Sequence, residues 1–297
     1  MNDIIRESPP VARPLEVALL ASVFVIAACG LVYELAAAAL ASYLLGDLVL
    51  QFSTIIGTCL FAMGIGSYLS RFFERQLPAH FLRIELIVAL VGSALPALLF
   101  IANAFVSGAF RFLLYTRVLL VGTLVGLEIP LVMRILRRNV ALKELVSQVL
   151  TFDCLDALAV SLAFLLVLVP QLGLIRTGLL FGFMNAAVAV WALWLFRHEL
   201  RDFKAHALAC ACCLGLLGAG FPGAGQITTL AADHFYQDRI VFTAITPYQC
   251  IVVTAGKNFP TGKLYTNSFY ALLDQHLAAS GYAVIPTTSP LVARRSY

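Results

Sequence analysis

Four acidic side chains stand within apolar runs of this sequence: Glu34 in LVYELAAAAL, Glu128 in LVGLEIPLVMRIL, and Asp153 and Asp156 in FDCLDALAV. A carboxylate inside a membrane-spanning segment is costly, and by default it marks a path for a substrate, an ion or a proton. Asp153 and Asp156 are three apart, so they share a helix face. Glu128 lies one residue away from Pro130, which perturbs a helix. A structural reading stands beside the chemical one. Arg117, Arg134 or Arg176 could pair with these acids and hold a helix bundle together, or the acids could lie near the membrane interface. Both readings stay open at this point.

The elements that must position these acids follow from composition. Of the 297 residues, 61% are hydrophobic and only 12% charged, against about 25% charged in a soluble domain. Mean hydropathy is +0.92. A bilayer-spanning helix needs roughly 20 mostly apolar residues. About seven stretches qualify, near 15–40, 48–69, 82–102, 112–132, 149–169, 172–196 and 205–224. The polar leader MNDIIRESPPVARP precedes the first, which is too long for a signal-peptide core.

The net charge of +4 is uneven. Arg71, Arg75 and Arg83 fall between the second and third stretches. Arg134, Arg137, Arg138 and Lys143 fall between the fourth and fifth, and Arg197, Arg201 and Lys204 between the sixth and seventh. Short positive loops stay cytoplasmic, so these three and the N-terminus are expected inside. The charge reports topology, and no nucleic-acid partner is expected.

Other motifs carry less. Gly64 and Gly66 in AMGIGS suit close helix packing. GKNFPTGKL, from Gly256, resembles a phosphate-binding loop. Its first glycine is one residue too far from Gly262-Lys263, and Leu264 stands where a magnesium-binding hydroxyl is required. Cys210, Cys212 and Cys213 do not converge at helical spacing, so no metal site is expected. The five histidines pair with no Ser or Cys in a nucleophile arrangement.

From Gln226 the character changes. DRIVFT, from Asp238, and YQCIVVT, from Tyr248, read as strands. SFYALLDQHL, from Ser268, reads as a helix closed by Gly281, and YAVI follows as a strand. The helix and last strand look like one αβ step of a parallel sheet.

Two long runs carry a resemblance. YELAAAALASYLLGDLVLQFSTIIGTCLFAMGIGSYLSR and FDCLDALAVSLAFLLVLVPQLGLIRTGLLFGFMNAAVAVWALWLF are similar to spans of the bacterial membrane-bound spermidine synthases, or polyamine aminopropyltransferases. DHFYQDRIVFTAITPYQCIVVT resembles the opening β-hairpin of that family's catalytic domain. NFPTGKLYTNSFYALLDQHLAASGYAVIPTTSPLVARRSY resembles a later stretch of it. The resemblance implies an α-helical multi-pass membrane domain over 1–225. It also implies a short α+β tail over 226–297, a remnant of a Rossmann-like methyltransferase-type domain with a β-hairpin at 238–254 and an αβ unit at 263–288. It implies aminopropyl transfer to putrescine, with decarboxylated S-adenosylmethionine as co-substrate and no tightly bound cofactor.

Gln249 in TPYQ matches the family's nucleoside-contacting glutamine, and Pro260 in FPTGKLY a proline lining the same pocket. An amine nucleophile needs a positioned carboxylate to take its proton. Beyond Gly225 the acids are Asp233, Asp238 and Asp274, none at the family's catalytic loop, so no catalytic residue is named. The two tail pieces nearly touch at 254–258, where the family has much of its Rossmann half. The chain alone is therefore expected to be inactive. The implied setting is the cell inner membrane, with a lipid bilayer and conceivably a homo-oligomer as surroundings. A transporter or scaffold binding a cation through the span acids is the alternative.

Overall fold

The structure is a computed structural model. It describes the backbone of residues 13–45, 47–105, 110–137, 142–236, 239–245, 250–255, 282–285 and 291–294, and side chains within 21–45, 47–103, 110–137 and 146–226. Seven helices come first: α1 (Arg13–Leu45), α2 (Leu48–Leu69), α3 (Leu77–Phe105), α4 (Phe110–Leu136), α5 (Leu142–Ala163), α6 (Val169–Leu195) and α7 (Phe203–Tyr236). Four strands follow: β1 (Arg239–Ile245), β2 (Cys250–Ala255), β3 (Tyr282–Ile285) and β4 (Leu291–Arg294).

Among the described residues, six helical stretches are long and apolar enough to cross a membrane. They are Ala21–Leu45, Leu48–Phe72, Leu77–Asn103, Phe110–Leu136, Val146–Leu195 and Phe203–Gln226. The outward faces of α2 and α5 are apolar, with Leu60, Phe61, Leu158 and Leu162 exposed. Such faces suit hydrocarbon rather than water. Trp191 and Trp194 stack in a tilted pair near the end of α6, and Arg71 lies over the rings of Tyr68 and Phe72. Aromatic and basic groups at helix ends are typical of a membrane–water boundary.

The sequence expectation of about seven spans followed by an α+β Rossmann-like remnant is corrected on both counts. The expected spans 149–169 and 172–196 fall in one apolar stretch of 50 residues, within which two helices meet at a kink: Thr177 Oγ1 reaches back nine residues to the Leu168 carbonyl at 3.3 Å. No polar linker separates them. Pro170 lacks an N–H and crowds the preceding turn. The chain accommodates it with a π-helical turn at Phe164–Leu168 instead of a loop. The backbone leaves helical geometry at Gly173, with φ 75 and ψ 167, where a side chain would be strained. Thr177 Oγ1 donates to the Gly173 carbonyl at 2.8 Å, tying the break to the next turn.

In the tail, β1 pairs antiparallel with β2, and β3 antiparallel with β4, in two separate two-stranded sheets. A Rossmann-like remnant would show parallel strands joined by a crossover helix. Among the described residues there is no parallel pairing: β3, expected to end an αβ step, folds back on β4 instead. The helix expected from Ser268 lies outside the described residues.

Within the bundle, α2 and α4 make the closest approach. Ala62 and Gly66, four apart on α2, face Gly122 and Gly126, four apart on α4. A methyl at Gly122 would stand 2.8 Å from the Ala62 Cβ. One at Gly66 would strike the Thr123 carbonyl, and one at Gly126 the Met63 carbonyl. Small residues at this spacing let helix backbones touch where no hydrophobic force separates helix from lipid. The sequence placed Gly64 in this seam too, but a methyl there meets nothing within 4 Å. Tyr115 donates to Thr54 Oγ1 at 3.1 Å near one end of the seam, and Arg134 to the Ser70 carbonyl at 3.0 Å near the other.

Three helices carry an internal proline: Pro96 in α3, Pro130 in α4 and Pro222 in α7. Each follows a glycine by four residues, Gly92, Gly126 and Gly218. A proline ring presses on the residue four positions back and leaves its carbonyl without a helical donor. Glu128 lies inside one such loosened turn.

A buried acid cluster within the helix bundle

Glu128 is fully buried on α4, at 0% exposure, and Glu85 on α3 is equally buried. The two carboxylates interact electrostatically. On α1, Tyr33 is 1% exposed and lies within electrostatic reach of both. One turn earlier, Cys29 senses Glu85, Glu128 and Asp156, and its thiol donates to the Phe181 carbonyl of α6 at 3.3 Å. One turn beyond Phe181 stands Asn185, at 0% exposure. These buried polar side chains come from five helices: Cys29 and Tyr33 from α1, Glu85 from α3, Glu128 from α4, Asp156 from α5 and Asn185 from α6.

Helical periodicity explains the burial. Cys29, Tyr33 and Ala37 follow one buried stripe of α1, and Glu85, Ala89 and Gly92 one stripe of α3. The depth also agrees. Glu85 is eight residues from the start of α3 and Glu128 eight from the end of α4, about 12 Å along each axis. Asn185 is ten residues, about 15 Å, from the end of α6. All three distances run from ends near arginines, Arg75, Arg134 and Arg197. All three therefore sit about two to three helical turns in from a basic helix end.

Apart from Cys29, these groups are left with unpartnered polar atoms among the described residues. Both oxygens of Glu85, both of Glu128, the Tyr33 hydroxyl, both amide atoms of Asn185 and one oxygen of Asp156 lack a hydrogen-bond partner. Buried polar atoms are almost always paired, so so many together call for a reason. The arginine pairing expected from the sequence does not reach Glu128: Arg134 is spent on the Ser70 carbonyl.

The other acids have separate surroundings. Glu34 is half-buried on the α2 side of α1 and interacts with the Cys59 thiol. Asp153 is exposed while Asp156 is buried, so the shared face divides at its edge. Gln249 and Pro260, the expected nucleoside contacts, lie outside the described residues. Glu85 is the member that its sequence position conceals. It stands two residues after Arg83 and three inside the edge of the expected span 82–102, where an acid reads as interfacial.

The cluster has a built support. Gly92 packs directly beneath the Tyr33 ring, and an added methyl would overlap three ring atoms. Gly92→Ala is expected to displace Tyr33 and destabilise the bundle by about 1–3 kcal/mol. Thermal unfolding in detergent measures it, and an unchanged midpoint would show the ring free to move.

The comparisons are specific. The chain is 50% identical over 262 residues, 86% of its length, to polyamine aminopropyltransferase 1 of Ralstonia nicotianae. It is 52% identical over 246 residues, 81% of its length, to polyamine aminopropyltransferase 2 of the same organism. The chain is related to the polyamine aminopropyltransferases. Another member, from Leptospira interrogans, is 45% identical over 82% of the chain. The matches cover 50%, 48% and 49% of these relatives, so the chain spans about half the length of the curated aminopropyltransferases it matches. No family model matches it, and no solved structure does.

Proposed function

We propose that this chain is the membrane-embedded part, with a short tail, of a polyamine aminopropyltransferase. The family reaction is transfer of an aminopropyl group from decarboxylated S-adenosylmethionine to putrescine. The observation that carries the reading is the identity of about one residue in two with two such enzymes across most of the chain. The bundle anchors the protein as a multi-pass component of the inner membrane, its N-terminus cytoplasmic. The arginines gathered where α2 gives way to α3, and at the end of α4, favour that orientation. Gln249 and Pro260 are the residues that would touch the nucleoside of the donor.

The 297-residue chain by itself does not turn over. Aminopropyl transfer requires a cleft that holds the sulfonium nucleoside and a carboxylate that takes a proton from the attacking amine. The described strands form two small antiparallel hairpins, which offer no strand–turn–helix step for a nucleoside. Purified in detergent and supplied with putrescine and decarboxylated S-adenosylmethionine, the chain is expected to yield no spermidine or methylthioadenosine above background. The full-length Ralstonia relative under the same conditions is the positive control. Sustained product formation by the chain alone would defeat this reading.

A second reading has its own observation. The buried cluster of Glu85, Glu128, Tyr33 and Asn185 fits a bundle that binds or conducts a cation.

A further inference from the structure

We propose that Glu85, Glu128, Tyr33 and Asn185 form a binding site for a primary ammonium group within the bundle. The choice of a diamine as its natural occupant rests on the function proposed above; the recognition of an ammonium group does not.

The argument is one of unmet acceptors. Two carboxyl groups in an apolar interior are tolerated only when protonated or beside a positive charge, and acids at membrane depth that lack a protein partner mark sites for ions or substrates. Neither glutamate receives a hydrogen bond from any described residue. The acids are not alone in this. The hydroxyl of Tyr33, on a third helix, and the amide of Asn185, on a fourth, are also fully buried and equally unpartnered. Two carboxyl groups, a phenol oxygen and an amide carbonyl are thus buried on four helices without a donor. A cationic occupant would supply the donors these acceptors lack.

Donor geometry separates the candidates. Among the described residues no three His, Cys, Asp or Glu side chains converge as metal ligands do. A metal ion requires oxygens drawn to within about 2.0–2.6 Å of one centre. An ammonium group spreads its charge over three N–H donors, each reaching an acceptor at about 2.7–2.9 Å. It can thus serve acceptors presented by separate helices. Three donors can meet Glu85, Glu128 and either Asn185 Oδ1 or the Tyr33 oxygen.

The test is equilibrium binding to the full chain in nanodiscs of phosphatidylglycerol, which carries no amine headgroup. The probes are putrescine and methylammonium chloride, with sodium chloride and 1,4-butanediol as non-amine controls. Saturable binding of an amine probe is expected, weakened by about 10–100-fold in Glu85→Gln and in Glu128→Gln, the loss of a charged hydrogen bond. Tyr33→Phe removes one oxygen only and reports on the site should a glutamate variant fail to fold; about three- to tenfold weakening is expected. Three results would overturn the proposal: no amine binding, amine binding indifferent to all three variants, or sodium competing as well as methylammonium. Because the readout is binding, spermidine synthesis by the chain would defeat the inactivity proposed above and leave this site standing.

Discussion

Gly126→Leu leaves no folded bundle. At this position the α4 backbone touches the α2 backbone, and an added Cβ would overlap the carbonyl of Met63 and lie 2.6 Å from its Cα. Flexible side chains can yield to an added carbon, but two helix backbones cannot. Ordinary overpacking costs about 1–3 kcal/mol. Here the whole α2–α4 seam must open, and the contacts around Cys59, Ala62 and Gly66 are lost with it, so about 3 kcal/mol is a floor. Membrane helices gain little from expelling lipid, so close van der Waals packing is what holds this pair. Gly66→Leu is expected to act alike, since its own methyl meets the Thr123 carbonyl. Gly64→Leu is the control. It sits two residues away on the same helix, its added carbons meet only the surroundings, and it should stay within about 0.5 kcal/mol of the parent. Size-exclusion profiles and thermal midpoints in detergent separate the three. Co-migration and co-melting of Gly126→Leu with the parent would show that the seam is not what holds α2 to α4.

These two glycines also show where sequence reading stops. AMGIGS announces close packing, yet composition cannot say which glycine faces the neighbour. That depends on the rotation of α2 about its axis, which Gly122 and Gly126 fix from sixty residues away. The apolar runs were legible because membrane crossing demands length and hydropathy, both local properties. The division at 170 was not. The apolar runs part at Pro170, but a π-helical turn precedes that proline and the backbone leaves helical geometry only at Gly173. The tail failed for another reason. A strand after a helix pattern suggests a parallel step, but pairing is a tertiary choice, and β3 takes the nearest strand in sequence as its partner.

The site divides in the same way. Glu128 was legible because it is the sole charge in a long apolar run. Glu85 was not, because Arg83 two residues before it suggests an interface, and only the structure shows it fully buried within electrostatic reach of Glu128. Tyr33 and Asn185 carry no signal in sequence at all. A tyrosine or an asparagine in an apolar helix is usually satisfied locally or points to a boundary. What singles them out is that the structure buries both fully and gives neither a partner.

That arrangement has a thermodynamic consequence. In the absence of any amine, Glu85→Leu/Glu128→Leu is expected to be more stable than the parent. Replacing a buried ionic group by apolar side chains of similar volume is often worth about 1–4 kcal/mol, because the desolvation cost disappears. For a bundle of this size that is a rise of roughly 2–4 °C in thermal midpoint per kcal/mol. Single substitutions should fall between. Adding putrescine should then reverse the order of effects. The parent gains stability as the site fills, by about 2.7 kcal/mol at a concentration one hundred times its dissociation constant, while the double variant gains nothing. The crossing of the two curves distinguishes a site held open for a ligand from acids retained to brace the fold. Braces would make the double variant less stable with or without amine, since removing them would strip the bundle of bonds it depends on. The unsatisfied oxygens of Glu85 and Glu128 argue that no such bonds to the described helices exist to be lost.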